Sequence, residues 1–345
     1  MRVALLPQAG PPSAFRIEDL AIPQIGGDDV LIRVMACGVS QHDVAARSGV
    51  YRRGVVFPIV LGIEIAGVVE ALGAAVTDLA VGDRVCTKAF ASCGRCNYCR
   101  NGRETTCRQR RAIHGGYAEF AALPQDAVVR VTDGLPFEIA CVMGPGAGVA
   151  LNAVRDTARV ALGETVLITG ASGGVGIPAI QLARHAGARV IAVSRSESKR
   201  DMLLQAGAHE VLIADAGESF APQVRDMTDG EGVEVVIDTV GSTVFDAAFD
   251  ALAPHGRYAF VGQLAAGEIR ISPARIFFKR AQLLGVGSVS RAQLRDVIAL
   301  AEAGVVKPSI DRILPLERVG EAHALVESGS SAGRIIIAPN LREAA

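Results

Sequence analysis

Four cysteines stand within fifteen residues, in the pattern Cys93-x2-Cys96-x2-Cys99-x7-Cys107. Four thiolates can close a tetrahedron around zinc at about 2.3 Å and leave no open position, so an ion held this way is structural. Disulfides or free thiols are the alternative. An iron–sulfur cluster fits less well, because the spacing departs from the bacterial ferredoxin run. The chain has seven cysteines, an odd number, and its first residues, Met1 to Pro7, form too short an apolar run for a secretion signal. Clustering in such a chain argues for metal over disulfides.

A second pattern concerns phosphate. Val166-Leu167-Ile168-Thr169 runs directly into Gly170-Ala171-Ser172-Gly173-Gly174-Val175-Gly176, and a helical pattern follows. Glycines at 173, 174 and 176 allow a sharp turn and a close approach to a pyrophosphate, and the new helix aims its N–H groups at the phosphates. Ser172 and Val175 belong to the same cradle. Pro178 falls in the first helical turn, where its missing N–H is harmless. An NAD site carries Asp or Glu at the end of the next strand, to accept from the ribose hydroxyls. Here that place, 18 residues past Gly176, holds Ser194, followed by Arg195, with Lys199 and Arg200 close behind. A hydroxyl and cations suit a 2′-phosphate, so NADPH is the expected cofactor. Glu197 is expected to point along the following helix. The alternative for Arg195 and Lys199 is a solvated helix start.

The elements that must position these groups fall into two rhythms. Residues 1–145 read as β-rich, with strand-like runs at 29–37, 62–72, 83–87 and 116–123 punctuated by Gly, Pro and Asp, and with no long amphipathic helix. A partly open barrel is expected there. After Asn152, six apolar runs recur at 166–169, 189–193, 211–213, 233–238, 258–261 and 283–286, with helical patterns between them, such as 177–186 and 196–206. This alternation predicts a doubly wound parallel sheet of the Rossmann type, hence an α/β protein. Residues 292–303 read as helix, and 312–316 and 333–338 as strands rejoining the first domain. The expected domains are 1–147 with 288–345, and 148–287.

Composition agrees. The chain has 345 residues, 38 glycines and no Trp, and half of it is apolar, which suits two cores of Val, Ile, Leu and Ala with many tight turns. A net charge of −1 gives no basic field for nucleic acid or a polybasic membrane contact. The longest run without charged or strongly polar residues, 139–151, contains three glycines and a proline and is too short to span a bilayer. A cytoplasmic protein is expected.

A β-rich domain with a four-cysteine loop ahead of a Rossmann domain resembles the medium-chain dehydrogenase/reductase family. Gly82-Asp83-Arg84-Val85, Gly115-Gly116-Tyr117-Ala118-Glu119 and the closing Gly304-x3-Pro308…Gly333-Arg334 carry the resemblance over essentially the whole chain. It implies a split, GroES-like catalytic domain, a cofactor cleft between domains, and a homodimer or homotetramer. By the family's placement, the nicotinamide lies against Val240-Gly241, Val261-Gly262 and Gly287-Ser288, in line with ligands sitting at strand carboxyl ends.

The departures from the pattern bear on the chemistry. Alcohol dehydrogenases of this family hold a catalytic zinc through a Cys in Gly-Val-Cys-His, a His in Gly-His-Glu and a Cys opening the cofactor domain. Here the corresponding positions are Ser40 in Gly38-Val39-Ser40-Gln41-His42-Asp43, Ile63 in Gly62-Ile63-Glu64, and the vicinity of Pro145 and Gly146. An aliphatic side chain cannot ligate zinc, and a serine hydroxyl is a poor substitute for thiolate. The proton-relay positions carry His42 and Ala45. Cys37, Cys141, His42 and Glu64 offer a possible rebuilt metal set, although Cys37, Cys141 and Cys86 read better as buried thiols.

Without a zinc electrophile, reduction of an activated C=C bond is the chemistry left open. Hydride goes to the β carbon, donors stabilise the developing enolate, and an acid protonates the α carbon. The zinc-free branches of the family, the enoyl- or acryloyl-thioester reductases and quinone reductases, resemble this reading. Tyr51, in Ser48-Gly49-Val50-Tyr51, matches a Gly-x-Tyr whose tyrosine is the proposed proton donor in enoyl-thioester reductases; lining the substrate and packing a loop are its other readings. His42 can donate instead, or be structural. Ser40 can orient a carbonyl or cap a turn, and Glu64 can handle a proton or be a satisfied carboxylate. Arg52 and Arg53 offer charge for an anionic tail such as a coenzyme A phosphate, or a solvated loop. The expected substrate is a small molecule, with a coenzyme A or carrier thioester among the candidates. The other enzyme readings are a quinone reductase, a reductase of imines or biosynthetic intermediates, and a dehydrogenase with an unorthodox metal site. Outside enzymes there is a nucleotide-binding protein without turnover.

Overall fold

The structure, a computed structural model, describes residues 1–51, 55–215, 217–264 and 267–341. It divides into two compact units, one of Met1–Gly148, Ser288–Ala303 and Pro308–Ala345, the other of Val149–Gly287 and Gly304–Lys307. The short return segment groups with the second unit because the Gln181 side chain donates to the Lys307 carbonyl (2.9 Å) and accepts from its N–H (2.8 Å).

The first unit is built on one long strand, Asp29–Val39. It pairs antiparallel along one edge with Glu64–Leu72. On the other edge its first half pairs with Phe120–Pro124 and its second half with Arg334–Ala338. Arg84–Thr87 and then Val128–Arg130 extend the sheet beyond Glu64–Leu72, and Ile310–Pro315 runs parallel to Arg334–Ala338. A three-stranded sheet of Arg16–Asp19, Arg2–Leu6 and Ile59–Val60 accompanies it. Side chains alternate across a strand, and Val30, Ile32, Val34, Ile65, Leu123, Ile335 and Ile337 meet in one buried core. This is the GroES-like, partly open barrel.

The unit also has helices that the β-rich reading did not place, at Gln41–Ser48 and Val319–Ser328. The first is only eight residues long, too short for its apolar period to stand out, and its start depends on a cap described below. Strand 116–123 is shifted to Phe120–Pro124, leaving Tyr117 outside it as a fully buried ring.

In the second unit six strands are all parallel, in the order Glu210–Ile213, Arg189–Ser194, Thr165–Thr169, Val233–Asp238, Leu252–Phe260, Gln282–Gly285. Numbered along the chain this is 3-2-1-4-5-6, the dinucleotide-binding order. The fifth strand begins six residues before the apolar run at 258–261, with a register irregularity after Val233 and a left-handed His255 at φ 64°. The helix expected over 196–206 is a 3₁₀ turn, Glu197–Lys199, followed by Arg200–Gln205; Gly207, at φ +111°, stops it. Among the described residues no helix is long and apolar enough to cross a membrane.

Candidate functional site

Where strand Asp29–Val39 ends, Ser40 caps helix Gln41–Ser48. The Asp43 N–H donates to Ser40 Oγ (3.3 Å), while the Ser40 N–H (3.0 Å) and hydroxyl (2.6 Å) both donate to Asp43 Oδ2. This reciprocal box satisfies two main-chain donors at the start of the helix. Asp43 Oδ1 also accepts from the Gly62 N–H (3.2 Å), tying the helix start to the segment that leads into Glu64. The Ser40 hydroxyl hydrogen is therefore engaged, and the cap is the reading this geometry supports over orientation of a substrate carbonyl.

The helix presents His42 beside Tyr51. Their ring centroids are 4.5 Å apart at 58°, and His42 Nδ1 is buried without a partner among the described residues. The Tyr51 N–H donates to the Ala45 carbonyl (3.0 Å), which returns the chain over the helix and sets this contact. Arg52 and Arg53 lie outside the described residues.

Glu64 is fully buried. Its Oε1 accepts from Arg334 Nη2 at 2.7 Å, and its Oε2 has no partner among the described residues. Burial pushes the carboxyl up and nearby Asp43 adds to this, against the pull of the Arg334 guanidinium. Gly38 makes the room: a Cβ there would lie 2.2 Å from Glu64 Oε2. Glu64 is thus a paired carboxylate. Its partner Arg334 stands in the closing Gly333-Arg334 motif, and no local pattern marks it as one, because only sheet pairing brings residues so distant in sequence together.

Cys37, Cys86 and Cys141 are buried thiols, all pushed up by burial, Cys86 to about 12. Among the described residues the only group of three or more side chains placed to share an ion is Cys93, Cys96, Cys99 and Cys107. Cys37, Cys141, His42 and Glu64 form no such group. Ile63 is buried with 3% exposure, and Pro145 sits inside the short π-helical segment Met143–Gly148.

In the cysteine lobe, the four sulfurs lie within 4.8 Å of one another, with Cys96 at 3.5 Å from Cys99 and 4.0 Å from Cys107. Tetrahedral zinc with 2.3 Å bonds sets its sulfurs about 3.8 Å apart, so the residues present fit the ion. The Cys96 thiol is drawn down to about 6, chiefly by a backbone N–H of Cys99. A lysine that sequence reasoning missed anchors the lobe. The fully buried Lys88 Nζ lies 2.8 Å from Glu104 Oε1, within the lobe, and 3.0 Å from Asp126 Oδ2, which also accepts from the Ser92 hydroxyl (2.8 Å) just before Cys93. No spacing rule flags a single Lys whose partners lie 16 and 38 residues away.

In the second unit, strand Thr165–Thr169 turns through Gly170, at φ +58°, and Ser172-Gly173-Gly174-Val175 into helix Gly176–His185. A Cβ on Gly176 would meet the Ala171 carbonyl oxygen at 2.4 Å, so this turn closes only on glycine. At the end of the second strand Ser194 is buried, and its Oγ accepts from the Ser196 N–H (3.2 Å). Arg195 is exposed, and Lys199 ends the 3₁₀ turn. Arg200 does not extend this cationic group: its Nε and Nη2 clasp Glu197 at 2.5 and 2.9 Å, which also neutralises that carboxylate. Val240-Gly241 follows the fourth strand and Val261-Gly262 the fifth. Gly287 ends the first run of this unit, whereas Ser288 belongs to the other unit.

The fold and these sites define a medium-chain oxidoreductase, and comparison with known proteins agrees. The chain matches the alcohol dehydrogenase GroES-like domain over residues 26–133 and the zinc-binding dehydrogenase domain over 174–303. It is 31% identical to an acryloyl-coenzyme A reductase of Sulfurisphaera tokodaii, across 98% of this chain and 100% of that protein. It is 30% identical to a quinone oxidoreductase of Pongo abelii, across 98% and 97%. The crystal structure of AibC superimposes with a TM-score of 0.93 at 38% identity, covering 99% of this chain and 96% of that one. A mycobacterial protein solved with NADPH superimposes at 0.83 with 27% identity, covering 98% and 100%. The chain belongs to the medium-chain dehydrogenase/reductase family and is an oxidoreductase.

Proposed function

We propose that this chain is an NADPH-dependent reductase of an activated C=C bond, in an α,β-unsaturated carbonyl compound or acyl thioester. The observation that carries the reading is the pairing of Tyr51 with His42 on a segment whose neighbouring positions, a hydroxyl engaged in a helix cap and a buried Ile63, supply no metal ligand. The likeness to an acryloyl-coenzyme A reductase supports it. The quinone oxidoreductase relatives support a second reading, reduction of quinones.

NADPH, when bound, supplies the hydride that goes to the β carbon. The turn from Ser172 to Gly176 offers N–H groups to the pyrophosphate, and Ser194, Arg195 and Lys199 hold the 2′-phosphate. Tyr51 gives its hydroxyl proton to the α carbon, so that hydride and proton together saturate the bond. His42, packed against the Tyr51 ring, holds that ring in place. The cysteine quartet holds one structural zinc, whose chemistry is to fasten the lobe.

The test is NADPH oxidation over acryloyl- and crotonyl-thioesters, alkenals, quinones and simple ketones, with products identified by NMR. Conjugated carbonyls are expected to yield saturated carbonyls, and ketones to remain unreacted; alcohols formed from ketones would overturn the reading. A thioester reductase should also slow when the carrier is truncated, whereas a quinone reductase is indifferent to it. Tyr51→Phe should lower kcat by about 10²-fold, the usual worth of a positioned acid, with KM for the acceptor within a few-fold. An unchanged kcat would remove Tyr51 from the chemistry.

Metal analysis should find one zinc per chain, and Cys96→Ser should lose it. A second equivalent that survives in Cys96→Ser would reveal another metal site and sink the zinc-free mechanism.

A further inference from the structure

We infer that Asp238 is the positioning residue of the nicotinamide end of the cofactor site, because it holds together the two loops on which that ring is placed. The inference rests on the cofactor reading above. Asp238 ends the fourth strand of the parallel sheet and is fully buried. Its Oδ1 accepts from the N–H groups of Val240 (2.9 Å) and Gly241 (3.0 Å) and from the Thr169 hydroxyl (2.6 Å), and its Oδ2 from the Tyr258 hydroxyl (2.8 Å). Its carbonyl accepts from Val261 N–H (2.8 Å) and Gly262 N–H (3.4 Å). One residue thus receives donors from both loops and from the first and fifth strands.

No ion pair reaches Asp238 among the described residues, although a buried carboxylate needs either a cation or a dense set of donors. Two of its four donors are main-chain N–H groups of one loop, so the charge helps to set that loop's shape, and the other two are the Thr169 and Tyr258 hydroxyls. A second tie repeats the arrangement: Gln263 Oε1 accepts from the Ser242 N–H (3.0 Å), and its Nε2 donates to Ser242 Oγ (2.7 Å). Gly241 sits at φ +96°, a backbone conformation that favours glycine, and a Cβ there would also push the Gln263 amide, 2.1 Å away, out of this tie. The proposed phosphate groups, Ser172 to Gly176 and Ser194 to Lys199, follow the first and second strands and receive nothing from Asp238. A defect at Asp238 should therefore divide the two ends of the cofactor.

The test measures binding of NADPH and of 2′,5′-ADP, which lacks the nicotinamide, to the full-length wild type, Asp238→Ala and Asp238→Asn. Asp238→Ala strands three buried donors at Oδ1 and should weaken NADPH by about 10- to 100-fold. It should leave 2′,5′-ADP within about 2-fold, the scale of an untouched site. Asp238→Asn keeps an acceptor oxygen for those donors and can turn its amide towards the Tyr258 oxygen, so it should restore NADPH to within about 3-fold. Equal losses for both nucleotides, or no loss, would overturn the inference. A wild type that binds neither nucleotide would overturn the cofactor reading instead, and the inference with it. If Asp238→Ala does not fold, Thr169→Val carries the same test: it removes a hydroxyl that donates to Asp238 and accepts from the Thr239 N–H (3.3 Å). Its NADPH loss should be about 3-fold with 2′,5′-ADP unchanged, and the same two results would overturn the inference.

Discussion

Replacing Arg334 with Met is expected to destabilise the protein by about 3–5 kcal/mol, the usual consequence of stranding one member of a buried ion pair. Glu64 has no exposure, Arg334 keeps 12% of its side chain in contact with solvent, and among the described residues only one carboxylate oxygen has a partner in the native protein. Water cannot replace the guanidinium, because the carboxylate lies against Gly38 beneath the paired strands. The reverse change, Glu64→Gln, leaves the partly exposed arginine able to reach water and should lose only about 1–2 kcal/mol. The double variant should recover much of the Arg334→Met loss, since it removes the stranded charge.

The pH dependence gives a second readout. The folded Glu64 carboxyl sits above its ordinary value of 4.5, so the native state holds more protons than the unfolded state just above that pH. Its contribution to stability therefore falls as pH rises through the window between the unfolded and folded values. Arg334→Met removes the pull that holds the carboxyl down and should widen this window upwards; Glu64→Gln should abolish it. Urea unfolding at pH 5 and pH 8 measures both effects. A loss below about 1 kcal/mol in Arg334→Met, typical of an exposed pair, would mean that water reaches Glu64.

The second large effect is expected at His323, with the opposite sign. This imidazole is fully buried, its Nε2 is 3.2 Å from the Tyr117 hydroxyl, and its Nδ1 has no partner among the described residues. The Phe15 ring packs 4.8 Å away and the Tyr117 ring 5.6 Å away. Burial, with Arg47 adding repulsion, holds the ring down at about 3 instead of 6.5. The native state therefore binds fewer protons than the unfolded state below pH 6.5. The stability from His323 is complete above that value and drains away as pH falls towards 3, on the order of 4–5 kcal/mol in all. About 2 kcal/mol of this should go between pH 7 and pH 5. His323→Gln cannot titrate and should remove that part of the acid sensitivity, which urea midpoints at the two pH values will show. An unchanged slope would mean that the ring is protonated in the folded state. Because Glu64 works in the other direction over part of this range, the comparison must be made variant by variant.

Features confined to one short stretch of chain could be read from the residues alone. The cysteine quartet was legible because its sulfurs come from fifteen consecutive residues, and the glycine turn because strand, turn and helix follow one another without a break. The parallel sheet was legible from the repeat of its apolar runs, and the absence of metal ligands at 40, 63 and 145 from residue types alone. Tertiary structure decided the rest. The pairing of Arg334 with Glu64 depends on strands 270 residues apart being seated on opposite edges of Asp29–Val39, and no local pattern encodes that register. The role of Ser40 as a cap, and the contact of His42 with Tyr51, depend on a helix too short for periodicity to announce. Asp238 and Lys88 read as ordinary charged residues until the fold surrounds them, because a buried charge is defined by what it is denied, which is water. Their partners arrive from other strands and turns, and only the closed structure brings them within hydrogen-bond reach.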